Sequence, residues 1–177
     1  VPLLSKIAAG IDDFDSLRNL IESSINSSGD VRDEASSELR SIRSEMSIAH
    51  DQLQRQMQSL STSAALRPVL QEPIVTIRDG RYVLPVKADF RTRLPGVVHD
   101  TSASGATVYV EPFAVVDLGN RWRELQLQER REIERLLREL SQAVGAVSIE
   151  LSDAINRLGR IDLALAKGQL ARDLNAT

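Results

Sequence analysis

Cysteine is absent from this sequence of 177 residues, which excludes disulfides, thiolate zinc sites and cysteine nucleophiles. A chain without disulfides is typical of a reducing compartment, so we expect a cytoplasmic protein. No apolar run approaches the roughly 18 residues that span a membrane, and the first residues lack the pattern of a signal peptide. The sequence therefore predicts a protein without a membrane partner.

Motifs of nucleotide-binding and hydrolytic enzymes are also missing, since there is no GxxxxGKS/T, GxGxxG, HExxH or GxSxG. His99, Asp100, Ser102 and Ser104 supply the residue types of a hydrolase triad. Such close neighbours on one strand and turn do not easily converge, because catalytic sets are normally assembled from distant segments. We predict no catalytic residue, no metal site and no ATPase or nuclease activity in this chain.

Aromatic residues are scarce, at 3% of the sequence, and the formal net charge is −3. A core must therefore come mainly from Leu, Ile, Val and Ala, as it does in helical bundles and coiled coils. A negative net charge is not the signature of a polycation. Any affinity for nucleic acid must then reside in a local patch.

Apolar residues recur at helical spacing on both sides of a short β-prone region. The spacing predicts short helices within 1–34 and a long helix over 35–61, whose apolar stripe steps by three or four residues as in a coiled-coil seam. Helical spacing resumes after Pro112, where Gly119 could interrupt it, and persists almost to the end. His50 falls on the expected solvent side of the long helix, and we interpret it as an ordinary surface residue.

The β-prone region predicts a small antiparallel sheet. Asp79-Gly80 lies between two β-prone runs, the strongest short-range signal for a two-residue hairpin with a type I′ turn. This turn places residue 78 opposite 81 and residue 77 opposite 82. Two further strands are predicted at Val97–His99 and Ala106–Val110. The Ser102–Gly105 loop between them could present backbone N–H groups to an anion, although small residues in a tight turn explain it as well.

The hairpin register assigns side chains to the two faces of this sheet. The apolar face is expected to be buried and to hold Val75, Ile77, Tyr82, Leu84 and Val86. The other face is expected to show Arg78, Arg81 and Lys87 to solvent. Arg91 and Arg93 follow on the connecting segment.

Two long helices interrupted by a sheet are expected to fold back on each other. The predicted fold class is α+β and mostly α: a long antiparallel coiled-coil lever with a four-stranded antiparallel β clamp at its tip and a helical base. Residues 35–61 form the outgoing helix, 62–120 the clamp and 121–146 the returning helix. The base combines residues 1–34 and 147–177.

Three stretches resemble the second bacterial MutS family, whose members are not needed for mismatch repair. TIRDGRYVLPVK (76–87) and PGVVHDTSASGATVYVEP (95–112) closely resemble its clamp, and GDVRDEASSELRSIR (29–43) resembles the opening of its outgoing lever helix. The resemblance extends over nearly the whole chain. It departs from the family at Gly119, where a second Asn is usual, and at Ser37, where Pro is common.

The resemblance implies the lever, the clamp and part of the core helices of a longer homodimeric ATPase. ATP and Mg²⁺ would be cofactors of the parent's ATPase domain, and its C-terminal Smr domain would be the endonuclease, so no cofactor is expected in this chain. The resemblance implies that the paired arms of the dimer close around a ligand. This ligand would be either branched DNA, whose recombination the protein suppresses, or a collided ribosome, which it rescues. Periodicity and charge do not choose between DNA and ribosomal RNA.

We predict that the clamp binds nucleic acid weakly, through phosphates and without sequence preference. About four phosphate contacts would give a slope of about −3.6 for log K against log salt on duplex DNA. Replacing Arg81 and Lys87 by glutamate is expected to abolish this binding without unfolding the sheet. The competing interpretation is a structural coiled-coil arm whose β head binds a protein partner. The predicted nucleic-acid contacts are Arg78, Arg81, Lys87, Arg91, Arg93 and His99.

Overall fold

The computed structural model describes residues 2–174, which are mostly helical with one four-stranded antiparallel sheet. This α+β composition agrees with the prediction. The five helices are α1 (Pro2–Ala8), α2 (Asp15–Ser24), α3 (Ser37–Ser61), α4 (Phe113–Ala146) and α5 (Ser148–Asp173). The strands are β1 (Thr76–Arg78), β2 (Arg81–Lys87), β3 (Gly96–Thr101) and β4 (Thr107–Pro112). Short 3₁₀ helices form at Asp33–Ala35 and Ala88–Arg93. No helix among residues 2–174 is both long and apolar enough to cross a membrane.

The chain divides into two compact units. The first combines Val1–Ala35 with Glu134–Thr177, and the second is Ser36–Ile133, so the boundary falls inside α4. Within the first unit α1 lies against α5. The sheet and α3 lie in the second unit, which therefore contains every residue predicted to bind nucleic acid.

The long helix α3 begins at Ser37 and not at residue 35, because Ser36 caps it. The Ser36 hydroxyl accepts a hydrogen bond from the Leu39 backbone N–H at 2.9 Å, which satisfies one of the free donors of the first turn. The same hydroxyl donates to Glu132 Oε1 in α4 at 2.7 Å. The prediction was wrong by two residues since it did not recognise this cap.

Helix α4 begins at Phe113, directly after β4, as the helical spacing after Pro112 predicted. The predicted boundary between the clamp and the returning helix, at residue 121, falls inside this helix. Residues 113–120, which were predicted to belong to the clamp, are therefore helical. Gly119 does not interrupt the helix. A Cβ atom at this position would lie 2.9 Å from Glu111 Oε1, so the glycine is explained by close packing and not by chain termination.

Within the second unit, α3 and the first part of α4 run antiparallel. Ion pairs join Arg43 to Glu129 at 2.7 Å and Arg121 to Glu45. The two helices also share a small apolar cluster that contains Ile42, Ala49 and Leu125, with Met46 and Trp122 packed against it. The long coiled-coil lever predicted from the apolar spacing is not confirmed.

The four strands are ordered β1-β2-β4-β3 and all neighbours are antiparallel. Thr76 is opposite Val83, Ile77 opposite Tyr82 and Arg78 opposite Arg81, as the turn predicted. Asp79 has φ 50° and Gly80 has φ 74°, the two positive values that a type I′ turn requires. The hairpin prediction is confirmed.

One face of the sheet packs on α3 and the neighbouring loops. Leu84, Val86 and Val110 are buried there against Leu53 and Met57 of α3. The loop residues Val69, Leu70 and Leu94 and the helix residue Val115 complete this core. Ile77, which was predicted on the buried face, keeps 49% of its surface exposed.

The centre of β2 is buried on both of its faces, since Val83 to Val86 are four consecutive buried residues. Alternation along a strand assigns Val83 and Pro85 to the face opposite the core. The prediction of a face open to solvent is therefore wrong for the centre of β2, and only the ends of the strand can present cations to a ligand.

Candidate nucleic-acid interface

The face of the sheet opposite the core, called the polar face below, carries the predicted cations. Arg78 is opposite Arg81, and Lys87 is opposite Thr107. Pro85 is opposite Tyr109, so Tyr109 and, two residues on, Glu111 share this face. The hairpin turn and the strand period thus bring Arg78, Arg81 and Lys87 to one side of the sheet, as the sequence predicted.

Glu111 is the buried centre of a charged group on the polar face, with only 4% of its side chain exposed. Its Oε1 atom accepts a hydrogen bond from Arg81 Nη1 at 3.4 Å, and its Oε2 atom lies 2.7 Å from His99 Nε2. A carboxylate can only accept, so His99 Nε2 donates in this contact. The Arg81 guanidinium therefore supplies a positive charge and His99 a hydrogen bond to a buried carboxylate, which would be strongly destabilising without such partners.

Arg78 is held by a different set of neighbours. Its Nε atom is 3.2 Å from Asp100 Oδ2, and its guanidinium carbon lies 4.2 Å from the centroid of the Tyr109 ring. A further hydrogen bond joins Arg78 Nη1 to the Ile77 carbonyl oxygen at 2.9 Å. Arg78 keeps 36% of its side chain exposed, so part of the guanidinium remains accessible to a ligand.

The remaining predicted cations differ in how strongly the fold engages them. Lys87 Nζ donates to the Pro68 carbonyl oxygen at 3.1 Å. Arg91 is turned toward the backbone, where it donates to the Gly96 carbonyl oxygen at 2.8 Å and the Leu94 carbonyl oxygen at 3.3 Å. Arg93 is exposed, with its guanidinium carbon 5.3 Å from the centroid of the Phe90 ring. Lys87 and Arg93 are thus better placed than Arg91 to meet a phosphate.

The serine-rich loop uses its polar groups internally. Ser102 Oγ accepts from the Thr107 backbone N–H at 3.1 Å, and Ser104 Oγ accepts from the Ala106 N–H at 3.4 Å. Gly105 has φ 71° and donates its N–H to the Ser102 carbonyl oxygen. These contacts favour the tight-turn explanation over an anion site, and His99 and Asp100 are paired with Glu111 and Arg78 instead of with the serines.

Sequence reasoning missed two features near the sheet. His50 is not an ordinary surface residue, because its Nε2 atom is 2.7 Å from the Tyr82 hydroxyl oxygen and its ring stacks on Trp122 at 4.8 Å between centroids. Arg123 reaches the hairpin turn and donates to the Asp79 carbonyl oxygen at 3.3 Å. Neither contact has a local sequence signal, since the partners are 32 and 44 residues apart.

The fold and the candidate site define a mostly helical α+β segment with a single antiparallel sheet and cations on one sheet face. Three similar curated proteins all have the name Endonuclease MutS2. The chain is 46% identical over 175 residues to the protein of Thermomicrobium roseum. It is 40% identical over 177 residues to that of Symbiobacterium thermophilum and 40% over 175 residues to that of Pelotomaculum thermopropionicum.

These alignments cover 99% or more of this chain but only 22% of each relative. No protein-family model matches the chain. The chain belongs to the MutS2 family, and it spans 22% of the length of the curated relatives it matches. The resemblance predicted from the motifs is confirmed.

Proposed function

We propose that this chain is the lever and clamp region of a MutS-type ATPase and that its sheet contacts nucleic acid through phosphates. The parent would be a cytoplasmic homodimer that binds ATP and Mg²⁺ in another domain and carries its nuclease elsewhere. Its ligand would be branched DNA, whose recombination it suppresses, or a collided ribosome, which it rescues. Similarity to proteins named as endonucleases over nearly the whole chain supports this proposal.

One observation carries the proposal for the clamp: the register of the sheet collects Arg78, Arg81 and Lys87 on the polar face. Arginine and lysine contacts to phosphate give affinity without sequence preference, as expected of a clamp that holds a duplex or a ribosome. Two of these three cations are partly neutralised by Asp100 and Glu111. A single sheet therefore binds weakly, and two arms in a dimer would add avidity.

The test neutralises Lys87 and Arg93, two predicted cations without a carboxylate partner among the described residues, and leaves the pair of Arg81 with Glu111 intact. The double variant Lys87→Gln/Arg93→Gln is compared with Arg130→Gln/Arg131→Gln, which removes two exposed cations of α4 away from the sheet. Binding to labelled branched DNA, duplex DNA and ribosomes is titrated with salt. The slope of log K against log salt on duplex DNA is expected to flatten by about 1.8 in the first variant only, since each lost contact removes about 0.9.

Equal slopes for the two variants, or a wild-type protein that binds none of the three ligands, would contradict the proposal. Competition between branched DNA and ribosomes for the wild-type chain then ranks the two ligands. A ligand that fails to displace the other at saturating concentration is the weaker partner.

A second candidate function, binding of a protein partner by the β head, is favoured by apolar exposure on the outer strands. Ile77 keeps 49% of its surface exposed, and Val97 and Val98 keep 40% and 41%. These residues lie on β1 and β3, the two opposite edge strands of the sheet, and exposed apolar side chains favour protein contacts, whereas phosphate contacts need cations. Three results together would establish this alternative. The chain would bind intact ribosomes but not protein-free ribosomal RNA, the binding would not depend on salt, and Val97→Ser would weaken it.

A further inference from the structure

The last turns of α3 and the first ten residues of the following loop contain no carboxylate. No Asp or Glu occurs between Asp51 and Glu72, a gap of 20 residues in a chain with 25 acidic residues among 177. Arg55 and Arg67 fall inside this gap, and glutamine and serine supply most of its other polar side chains. The segment is therefore a local region of positive charge that the net charge of the chain conceals.

The packing of α3 fixes which side of this segment faces outward. Leu53 and Met57 are buried in the core beneath the sheet. Arg55 lies about 160° to 200° around the helix from both of them, at 100° per residue, and its side chain is exposed. Arg55 is thus at the centre of the outer side of α3.

An open groove lies on each side of Arg55. One has a volume of about 460 Å³ and is lined by Gln54, Arg55, Gln58, Val75 and Tyr82. The other has a volume of about 530 Å³ and is lined by Gln52, Arg55, Gln56, Ser59, Leu60 and Leu118. Neither groove has an acidic lining residue, so guanidinium and amide N–H donors line both of them. The nearest carboxylate along the helix is Asp51, one turn before Arg55.

Arg55 also differs from the cations of the polar face. Arg78 and Arg81 have Asp100 and Glu111 as partners, whereas within residues 2–174 no ion pair or hydrogen bond engages the Arg55 guanidinium. The negative end of the α3 dipole does not oppose an anion here, because Arg55 is six residues, or about 9 Å, before Ser61 and the effect is confined to the last turn. The five N–H donors of Arg55 are thus available to a ligand.

We propose that the outer side of α3 centred on Arg55, with Gln52, Gln54 and Gln58 beside it, is a second phosphate-binding surface for a nucleic-acid backbone. This inference rests on the proposed nucleic-acid function and adds a site outside the sheet. A guanidinium suits phosphate oxygens, and neighbouring amides donate to phosphate and sugar oxygens, so the surface follows a backbone without reading its sequence. Tyr82 and Val75 supply apolar contact to the sugars at the groove wall.

The test compares Arg55→Gln with Arg40→Gln in the full chain. Arg40 is also exposed on α3, but it lies between Glu38 and Glu45 in the sequence. Its loss changes the net charge of the chain as much as the loss of Arg55 does, but outside the segment between Asp51 and Glu72. Binding to a labelled duplex is measured between 50 and 300 mM salt, a range over which each phosphate contact changes the affinity by about 0.7 decade, or roughly fivefold. Arg55→Gln is expected to flatten the slope by about 0.9 and to weaken binding roughly tenfold at the lowest salt.

Arg40→Gln is expected to match the wild type, and Arg55→Lys is expected to restore most of the slope. Inorganic phosphate at matched ionic strength should not displace the duplex if a polymer backbone is the ligand. An unchanged slope in Arg55→Gln, or an equal loss in Arg40→Gln, overturns the inference while wild-type binding upholds the proposed function. A wild-type chain that binds no nucleic acid overturns both. Arg55→Gln could also weaken binding to ribosomes while the affinity for duplex DNA and RNA is unchanged. That result would assign this surface to a protein partner and overturn the inference.

Discussion

Replacing Glu111 by glutamine tests whether the buried carboxylate stabilises the sheet. The substitution keeps the shape of the side chain but removes the negative charge that faces the Arg81 guanidinium and accepts the hydrogen bond from His99. One amide oxygen can still accept from His99 Nε2. The amide nitrogen then faces the Arg81 guanidinium, so two donors confront each other and one charge-assisted hydrogen bond is lost.

The expected loss in the free energy of unfolding is about 2 kcal/mol. A hydrogen bond to a charged group contributes roughly 1.5–3 kcal/mol, and removal of one partner from a fully buried ion pair costs about 3–5 kcal/mol. The lower range applies because the Arg81 contact is long, at 3.4 Å, and Arg81 and His99 keep 22% and 19% of their side chains exposed. Solvent therefore screens part of the interaction.

Urea denaturation followed by Trp122 fluorescence measures this loss. Trp122 is the single tryptophan of the chain and lies in the same unit as Glu111, so its signal reports the unfolding of that unit. The matched control is Glu45→Gln, which breaks an ion pair with Arg121 whose two side chains are each 49% exposed. The control should lose less than about 1 kcal/mol. Equal denaturation midpoints for the two variants would refute the assignment of Glu111 as a stabilising buried charge.

Three further substitutions test contacts of the second unit, at Gly119 in α4, Tyr82 in β2 and Gly80 in the hairpin turn. Gly119→Ala should destabilise the fold by about 1–3 kcal/mol, because its Cβ atom would lie 2.9 Å from a carboxylate oxygen of Glu111. The control Gly145→Ala, in the same helix, places its Cβ atom in open space and should not destabilise the fold. Thermal melts followed by circular dichroism compare the two variants. Tyr82→Phe removes the hydrogen bond to His50 and should lower stability by about 0.5–1.5 kcal/mol, measured by the same fluorescence assay. Gly80→Ala should cost about 1–2 kcal/mol at φ 74°, and a neutral result would show that the turn relaxes.

The hairpin could be predicted because its determinants are local. Asp79-Gly80 favours a turn with two positive φ angles, and the turn alone then sets which residues face each other. The strand period next assigns the cations to one face, which needs no knowledge of the rest of the fold. These steps placed Arg78, Arg81 and Lys87 correctly on the polar face.

The partners of those cations could not be predicted, because they come from distant parts of the chain. Arg81 meets Glu111 across 30 residues, and His50 meets Tyr82 across 32. Gly119 was misinterpreted for the same reason: local propensity makes glycine a helix breaker, but here it is required by a side chain that packs on the helix from β4. The boundary between the clamp and the returning helix was consequently set at residue 121, although the helix is continuous from Phe113.

The paired state of Arg81 changes how a charge-reversal experiment on this sheet must be interpreted. Arg81→Glu would place a second carboxylate against the buried oxygen atoms of Glu111, and two buried like charges strongly destabilise a fold. The sequence-based expectation that Arg81→Glu leaves the sheet folded is therefore not supported by its surroundings. Loss of binding in that variant would follow from loss of structure as readily as from loss of a phosphate contact. Lys87 and Arg55 avoid this ambiguity, since neither is paired with a carboxylate in the described part of the chain. A phosphate contact is thus best tested by substituting cations that do not neutralise a carboxylate of the fold.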